Sequence, residues 1–363
     1  MRNGSTAGGA PRIAIIGAGL AGLACARRLK AAGADPVVFE KSRGVGGRVA
    51  TRRTRDGWRF DHGAQFITAR SDPFRTALER GEAGGTLKAW RPAAAAGDLS
   101  GEGSLAEARA DGGGTGETRY VGAPAMNSFI KPYADGLDLR LERRAVSVRR
   151  DGGRWLLETA PEPYSSEGAA EEGGAQGAVE PYDVVICAAP APQAAALARD
   201  AAPDLSRALA SVRMSPCWAV MIGFGTRYEP GFDAWRSGEG GLSWICRNAS
   251  KPGRDQHRDG WVVHASPDWS LRFLEADADA VLNDMIAMFR TALPGPLPDI
   301  DYARAHRWRY ALTTAPLGAP YAEDASGRFF AIGDWCLGAR VEFAFQSGDG
   351  LGAALAARLQ EMR

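Results

Sequence analysis

Three glycines and one glutamate near the start of the chain have the types and the spacing to bind a dinucleotide. Gly17, Gly19 and Gly22 form a GxGxxG motif, and Glu40 follows 18 residues after the last glycine. The first glycine of such a motif permits a tight turn, the second lets the backbone approach a pyrophosphate, and the third lets a helix pack closely. An acid at this distance binds a ribose hydroxyl. The four residues together therefore predict a dinucleotide site.

The elements around this motif must position it. An apolar run at 13–16 ends at the glycine turn, a helix-like segment follows, and a second apolar run at 36–39 ends directly before Glu40. Leu20 and Ala21 fall in the first turn of the helix, where unpaired N–H groups and the positive end of the helix dipole attract phosphates. A strand, a glycine turn, a helix and a second strand ending in an acid predict a Rossmann-type unit.

A second glycine-rich loop, VGGRVATRR at 45–53, follows soon after the acid. Gly47 permits close approach of the backbone, and the guanidinium group of Arg48 suits a phosphate. We interpret this loop as a second contact to the phosphates of the dinucleotide. The alternative is a surface loop with a solvated basic cluster.

The bulk composition narrows the classes of function. The 363 residues are 45% apolar and 24% charged with a formal charge of +1, which is typical of a globular protein and argues against a nucleic-acid or membrane partner. The five cysteines contain no CxxC pair, so we expect buried free thiols and disfavour a disulfide-based reductase. The four histidines lack metal-ligand spacing, so no metal is expected. No apolar run is long enough to span a membrane, and we expect a cytoplasmic protein.

Three polar or low-complexity stretches stand apart from the rest of the sequence. Residues 1–10 are expected to form a disordered tail. Residues 84–116 are rich in Ala and Gly and predict a loosely structured excursion, and residues 159–180 predict a long turn between two strands. The last two stretches are therefore expected to be local insertions.

The remaining pattern predicts an α/β fold with two sheets. Short alternating segments predict an antiparallel meander, and buried apolar segments predict a parallel sheet. The predicted elements are the meander strands 139–142, 145–150 and 154–159, the parallel strands 183–188 and 329–334, the second-sheet strands 217–224, 242–246, 261–266 and 301–312, and the helices 268–293 and 341–363. We predict a discontinuous dinucleotide-binding domain, which contains the parallel sheet and the meander, and a second α+β substrate domain. The first comprises residues 11–75, 136–205 and 313–363, and the second 76–135 and 206–312.

Alternation along the strand 301–312 groups side chains that could line a substrate pocket. His306, Trp308 and Tyr310 fall on one face of this strand. An aromatic stripe on a strand is usually core, and a lone histidine is usually structural, so both interpretations stay open on this evidence. The candidates for the pocket are His264, Trp308, Tyr310, Trp218 and Trp335.

Several motifs resemble the FAD-binding set of the flavin amine oxidase superfamily. They are GAGLAG (17–22), FEK (39–41), GGR (46–48), DHGAQF (61–66) and the Gly-Asp pair at 333–334. The resemblance implies FAD as the cofactor, in a fold like that of the amine oxidases and p-hydroxybenzoate hydroxylase. In that superfamily the Gly-Asp pair contacts the ribityl and pyrophosphate groups, and the next helix directs its N-terminus at the flavin. The motifs place no Cys or His at a position from which it could be linked covalently to the flavin ring, so we expect noncovalent binding of FAD.

Within the superfamily, the chain resembles the bacterial renalase-like group over nearly its whole length. The segments that carry the resemblance include GGRVATRR, FDHGAQFIT, SKPGR, WVVHASPDWS, HRWRYA and GDWCLGARVEFAFQSG, in that order. The resemblance implies cofactor contacts from Gly17, Gly19, Leu20, Ala21, Gly22, Glu40, Lys41, Gly47, Arg48, Ala64, Gln65, Phe66, Val146, Gly333, Asp334 and Val341. It implies catalytic roles for His264, Trp308, Gln65 and Tyr310. The superfamily amine oxidases carry a glycine-rich segment where this chain has residues 340–345, so the surroundings of the flavin edge are expected to differ there.

The resemblance also implies a reaction. Superfamily amine oxidases place a lysine near the flavin on the strand before the closing Gly-Asp pair, and this chain has no lysine after Lys251. The renalase-like group oxidises the 2- and 6-dihydro isomers of NAD(P)H to NAD(P)+, by hydride transfer to flavin N5, and O2 becomes H2O2. That transfer needs no base, so an aromatic pocket without lysine and with few carboxylates suits it. A flavin amine oxidase or desaturase, and an FAD-binding module without turnover, are the alternatives.

Overall fold

A mostly parallel sheet gathers strands from distant parts of the chain. The computed structural model describes residues 10–96, 117–162, 177–237 and 240–361, so residues 1–9 of the predicted tail lie outside the described residues. The strand order is β18 (Ala322–Glu323), β19 (Phe329–Ala331), β12 (Val184–Cys187), β1 (Ile13–Ile16), β2 (Val37–Phe39) and β8 (Asp138–Arg140). Only β18 runs antiparallel to its neighbour. The strands β1 and β12 are apolar and buried throughout, as expected for a sheet covered on both faces.

Two helices pack together on one face of this sheet. The helix α1 (Leu20–Ala31) follows β1, and the helix α8 (Val341–Glu361) comes from the other end of the described chain. A Cβ on Gly348 would lie 2.0 Å from the carbonyl oxygen of Ala21, and a Cβ on Gly352 would lie 2.6 Å from the Cβ of Arg28. The two glycines of α8 therefore allow its backbone to approach α1 closely.

The antiparallel meander differs from the prediction in one strand. Its strands are β9 (Arg143–Asp151), β10 (Arg154–Pro161) and β11 (Ala178–Tyr182). The assignment of 139–142 to the meander was wrong, because residues 138–140 form β8, which pairs in parallel with β2. A strand this short shows too little alternation to reveal its partner. Of the predicted turn at 159–180, residues 163–176 lie outside the described residues.

The second sheet confirms the four strands predicted for it. Its order is β17 (Ile300–Ala315), β13 (Arg213–Phe224), β16 (Asp259–Ala265), β15 (Leu242–Arg247), β14 (Ala234–Arg236) and β6 (Ala94–Ala96). The single helix predicted over 268–293 was wrong, because two helices form, α6 (Pro267–Arg272) and α7 (Ala278–Ala292). The Asp277 carboxylate accepts hydrogen bonds from the backbone N–H groups of Asp279 and Ala280, which starts a new helix there.

Short elements complete the fold. They are the hairpin β3 (Arg52–Arg53) and β4 (Arg59–Phe60), the pair β5 (Leu87–Trp90) and β7 (Arg119–Gly122), and the helices α2 (Asp72–Ala83), α3 (Lys131–Ala134), α4 (Ala191–Ala198) and α5 (Pro203–Leu209). The strands β5 and β6 correct the expectation of a loose excursion over 84–116, of which residues 97–116 lie outside the described residues. All five cysteines are free and buried, as predicted. In the part of the chain described, no helix has the length and apolar character needed to cross a bilayer.

Candidate functional site

The glycine turn makes the close contacts that its sequence predicts. Gly17 has a φ of +106°, in the region that favours glycine, and its N–H donates to the carbonyl of Phe39 at 2.7 Å. A Cβ on Gly22 would lie 2.1 Å from the carbonyl oxygen of Gly17, so a larger residue does not fit. A Cβ on Gly19 would meet nothing within 4 Å. The backbone at the N-terminus of α1, where Leu20 and Ala21 begin the helix, is therefore accessible to a phosphate group.

Glu40 lies against the same turn. Its residue surface is only 7% exposed, and its carboxylate oxygens accept hydrogen bonds from the backbone N–H groups of Ala18 at 2.9 Å and Ser42 at 2.8 Å. The acid stands at the carboxyl end of β2, which is where Rossmann-type units carry the residue that binds a ribose. Lys41 follows it and is exposed.

The second glycine loop joins this turn to the far end of the chain. A Cβ on Gly47 would lie 3.6 Å from the Cα of Gly19. Arg48 donates through Nη1 to one carboxylate oxygen of Asp334 at 3.0 Å and through Nη2 to the other. It also donates to the carbonyl of Ala311 on β17 at 3.1 Å. Residues from the start of the chain, from its end and from the second sheet therefore meet at Arg48.

The remaining predicted cofactor residues lie on three different elements. Gly333 lies two residues after the end of β19 and directly before Asp334, while Val341 is the first residue of α8. Val146 lies in β9 and is 43% exposed. Its neighbours Ala145 and Ser147 pair with Thr159 and Glu158 of β10, and Val146 lies in a β-bulge between these two pairs. The backbone of Val146 therefore has no partner residue in β10.

The start of α8 is tied to the segment that follows residue 66. Glu342 is buried, and its carboxylate accepts hydrogen bonds from the backbone N–H of Arg70 at 3.0 Å, the backbone N–H of Ser71 at 2.7 Å and the Ser71 hydroxyl at 2.8 Å. This contact lies in the segment 340–345, where the chain departs from the glycine-rich pattern of the superfamily amine oxidases. A carboxylate thus connects α8 to the N-terminal end of α2.

One face of the second sheet carries a row of cross-strand neighbours. His306, Ala219, His264 and Trp244 are partners on β17, β13, β16 and β15, so their side chains stand beside one another on one face. The segment 62–66 crosses this row, because its first residue contacts the ring of His306 and its last contacts the ring of Trp244. The row and the segment together form the candidate reaction face.

His62 begins that segment and packs against two aromatic rings. Trp308 donates from Nε1 to the carbonyl oxygen of His62 at 2.9 Å, and their ring centroids are 5.0 Å apart. The His306 ring lies 4.8 Å from the ring of His62. Burial lowers the pKa of His62 to about 3, with the charge of Arg52 among the further causes, and burial lowers the pKa of His306 to about 4. Both imidazoles are therefore neutral at pH 7.

His264 contacts the carbonyl oxygen of His62, which also accepts the hydrogen bond from Trp308. Its Nε2 lies 3.1 Å from that oxygen. Burial lowers the pKa of His264 to about 4, and the charge of Lys251 acts in the same direction, against the hydrogen bond to His62. The third imidazole of the reaction face is thus neutral as well.

A buried lysine fixes the side chain of Gln65. Lys251 is fully buried, and its Nζ donates to Oε1 of Gln65 at 3.3 Å and to Oδ2 of Asp61 at 3.2 Å. The Nε2 of Gln65 donates to the carbonyl of Gly63 at 3.0 Å and lies 3.4 Å from Nε2 of His264. Because the ammonium group can only donate and the carbonyl can only accept, the Gln65 amide has one orientation.

Asp61 connects this lysine to a second cation. Arg254 donates from Nη2 to the same carboxylate oxygen of Asp61 at 2.7 Å. Burial would raise the pKa of Asp61, but the charges of Lys251 and Arg254 and the hydrogen bond from Thr51 lower it to about 2. One carboxylate and two cations leave a net positive charge beside Gln65.

The expectation of a lysine-free reaction face is corrected by this network. Lys251 reaches Gln65 from the turn after β15, and it contacts an aspartate 190 positions away in the sequence. The SKPGR segment and the rarity of lysine were the only signals in the sequence, and neither indicates the partner. Ala64 donates its N–H to the carbonyl of Arg48 at 2.9 Å, so the same segment also contacts the glycine loop.

Three of the aromatic candidates stand apart from this group. Tyr310 lies two residues beyond Trp308 on β17 and is partly buried, and among the described residues it makes no ring contact or hydrogen bond with His62, Gln65 or His264. Trp218 is buried in the core between β13 and α6–α7, and Trp335 is fully buried in the core of the parallel sheet. Both rings pack in apolar cores, and a role for them in the pocket stays a prediction.

The Rossmann-type sheet, its glycine turn and the acid at the end of β2 define a dinucleotide-binding protein. A family model described as flavin containing amine oxidoreductase matches residues 93–350, and one described as an NAD(P)-binding Rossmann-like domain matches residues 15–80. The chain therefore belongs to the flavin-containing amine oxidoreductase family, as its motifs predict.

Individual proteins agree with this assignment. Renalase from Mus musculus is 25% identical over 329 residues, which cover 84% of this chain and 86% of that protein. A 15-cis-phytoene desaturase from Synechococcus elongatus is 48% identical over 56 residues, 15% of this chain and 12% of that protein. A solved structure described as a protoporphyrinogen oxidase from Exiguobacterium sp. 255-15 has a TM-score of 0.69 at 15% identity, covering 96% of this chain and 99% of that one. A triple mutant of putrescine oxidase has a TM-score of 0.66 at 14% identity, with coverage of 96% and 99%. These structures confirm the predicted fold.

The cofactor of this protein is FAD, and the residues present fit it. The position of a Cβ on Gly19 is free of neighbours within 4 Å, and the first turn of α1 contains no acidic residue that would repel a phosphate. A buried acid, Glu40, lies at the end of β2 for the ribose. The prediction of an FAD-binding oxidoreductase is therefore confirmed.

Proposed function

We propose that this protein is an FAD-dependent oxidase of isomeric dihydronicotinamide nucleotides. Its substrates are the 2- or 6-dihydro forms of NAD(P), which lose a hydride to become NAD(P)+. O2 and one proton take up the hydride equivalent as H2O2. The similarity to renalase along 84% of the chain supports this choice within the family.

The observation that carries the proposal is that the three histidines which the structure places on the reaction face are all weak bases. Burial lowers the pKa of His62, His264 and His306 to about 3, 4 and 4, so each is a weak base. Lys251 is held by Asp61 and Gln65. A dihydropyridine needs no deprotonation, because loss of hydride makes its ring aromatic. A protonated amine must first lose a proton, and the described histidines of this face are poor acceptors for it.

The proposal assigns cofactor binding to the residues that meet around the glycine turn. Gly17, Gly19 and Gly22 shape the turn, Arg48 and Asp334 flank the phosphates and ribityl chain, and Glu40 binds the ribose. The full proposed set adds Leu20, Ala21, Lys41, Gly47, Ala64, Gln65, Phe66, Val146, Gly333 and Val341. FAD binds noncovalently in this proposal.

The residues of the reaction face then have distinct tasks. When bound, FAD supplies the redox chemistry, accepting two electrons from the substrate and passing them to O2. Gln65, in its single amide orientation, offers a fixed dipole, and His264 stays neutral so that it does not repel a product cation. Trp308 fixes the carbonyl of His62 and thereby the segment 62–66. Tyr310 continues the same strand face and contacts the substrate in this proposal.

The division into two domains is part of the same proposal. Residues 11–75, 136–205 and 313–363 bind FAD, and residues 76–135 and 206–312 shape the substrate chamber. The collection of β1, β2, β8, β12 and β19 into one sheet supports this division, as does the collection of β6 and β13–β17 into another.

A second candidate is a flavin amine oxidase. The match to the amine oxidoreductase family over residues 93–350 favours it, and so does the buried lysine beside Gln65. A desaturase has weaker support, since the matched desaturase shares only 56 aligned residues. An FAD-binding module without turnover is a third alternative.

Anaerobic mixing distinguishes these functions. The FAD-loaded protein is mixed in a stopped-flow instrument with 6-dihydro-NAD, with 2-dihydro-NAD, or with a panel of primary and secondary amines. We expect a dihydro isomer to bleach the flavin absorbance within seconds, and admission of O2 to restore it with one H2O2 per turnover. Bleaching by amines alone would establish the amine oxidase instead. Absence of bleaching by any compound would favour the binding module.

A further inference from the structure

Two aromatic rings lie next to the reaction face, and neither has so far been assigned a role toward the substrate. Phe66 directly follows Gln65, and Trp244 is the cross-strand partner of His264. The two ring centroids are 5.8 Å apart, with 49° between the ring planes. The pair therefore adjoins both polar side chains of the proposed site.

An arginine guanidinium group lies over each ring of this pair. The Cζ atom of Arg119 lies 5.2 Å from the centroid of Phe66, and that of Arg236 lies 5.9 Å from the centroid of Trp244. The first arginine begins β7 and the second ends β14, so elements of two different sheets each supply one guanidinium group to the ring pair. A guanidinium group that stacks on a ring keeps its N–H edge available for phosphate oxygens.

Trp244 also has an unsatisfied hydrogen-bond donor. Its indole Nε1 is buried and has no hydrogen-bond partner among the described residues. Buried donors are almost always paired, so an orphaned one beside a reaction face points to a ligand that completes it. The indole N–H can only donate, so the matching ligand atom is an acceptor such as a carbonyl oxygen.

We propose that Phe66, Trp244, Arg119 and Arg236 form a subsite for an anionic nicotinamide nucleotide. The two rings pack against the planar part of the ligand, the indole N–H donates to the carboxamide oxygen, and the guanidinium groups bind the phosphate oxygens. This inference rests on the proposed function and deepens it, because it names the residues that select a nucleotide over an uncharged substrate.

Binding of NAD+ to the oxidised, FAD-loaded protein tests the subsite without turnover. Isothermal titration calorimetry gives the Kd for the parent and for R119Q, R236Q, the double variant and W244F. R258Q is the matched control, since Arg258 stacks on Trp58 at 5.1 Å but lies outside the site. Thermal unfolding and flavin content are measured for every variant, so that a folding defect is recognised.

We expect each arginine variant to weaken NAD+ binding about tenfold and the double variant by more, with a smaller salt dependence than the parent. W244F keeps the ring and loses the donor, and we expect its Kd to rise about tenfold as well. R258Q should bind like the parent. A correctly folded double variant with the parent Kd would overturn the subsite.

Turnover assays separate this inference from the proposed function. If dihydro-NAD is oxidised equally well, with unchanged KM, by the parent and the double variant, the subsite is wrong and the proposed function stands. If dihydro-NAD is not oxidised but NAD+ binding still depends on both arginines, the subsite is supported and the proposed function fails.

Discussion

The proposed cofactor site around Gly17–Gly22, Glu40 and Arg48, called the cofactor end below, and the reaction face are built by opposite means. Around Gly17, Gly19 and Gly22 the chain relies on missing side chains, which let backbone approach backbone. At the reaction face it relies on buried polar side chains, with Asp61 and Lys251 both fully hidden from solvent. The first region creates accessible backbone, and the second region holds charges in place.

This difference determines what each region tolerates. A glycine turn fails when a Cβ enters it, but it carries no charge that must be balanced. A buried ion network fails when one partner is removed, because the other is left as an uncompensated charge. Substitutions should therefore separate the two regions by the kind of damage they cause, and not only by its size.

The largest effect is expected at the reaction face, from Asp61→Asn. The variant removes the carboxylate that Lys251 and Arg254 share and leaves two buried cations uncompensated. We expect the free energy of unfolding to fall by about 3–5 kcal/mol. Urea unfolding of the apoprotein measures it, with Asp299→Asn as the control, because Asp299 is exposed. A loss similar to that of the control would show that the network does not stabilise the fold.

A smaller effect is expected at the cofactor end, from Gly22→Ala compared with Gly19→Ala. The first adds a Cβ 2.1 Å from the carbonyl oxygen of Gly17 and should lower the free energy of unfolding of the apoprotein by about 1–3 kcal/mol. The second adds a Cβ that meets nothing within 4 Å, at an ordinary φ of −76°. It should leave apoprotein stability unchanged and weaken FAD binding, which fluorescence titration measures. Equal stability of the two apoproteins would contradict the different tasks of the two glycines.

The smallest change in the free energy of unfolding per side chain is expected from protonation of the three buried histidines as the pH falls. Burial lowers the pKa of His62, His264 and His306, so the unfolded chain binds more protons than the folded chain below about pH 6.5. Their contribution is complete above that pH and is lost as pH falls towards about 4, by at most about 2 kcal/mol for each histidine between pH 6.5 and 5. Urea unfolding at pH 7 and pH 5 measures it, and His306→Gln should flatten the dependence. A stability independent of pH in this range would show that the imidazoles are not held neutral.

The cofactor end could be predicted from the sequence because its determinants are local. The turn from Gly17 to Gly22, the acid Glu40 and the loop with Arg48 lie within about one supersecondary unit, and their spacing has a geometric meaning. The contact of Arg48 with Asp334 spans 286 positions, but the family motifs contain both residues. The parallel strands could be predicted because a short, continuous apolar run is typical of a strand that is buried on both faces of a sheet.

The reaction face could be predicted only in part. Strand alternation grouped His306 with Trp308, and both rings meet His62. The pairing of Lys251 with Asp61 depends on how the turn after β15 folds over the second sheet, and no spacing rule connects the two residues. Trp244 was missed because its place beside His264 depends on strand register, which the sequence does not specify across a long connection.

The close packing of α1 against α8 has a consequence for the order of folding. As the chain leaves the ribosome, the apolar residues of α1 emerge early, whereas residues 341–361, which cover them, emerge more than 300 residues later. Until then the first helix lacks its partner, and the sheet lacks β12 for about half of that time and β19 for nearly all of it. Contacts between such distant segments make folding slow, and apolar surface stays exposed to solvent until the segments meet. Because the proposed cofactor site includes Asp334 and Val341, it can be complete only after that part of the chain has been synthesised.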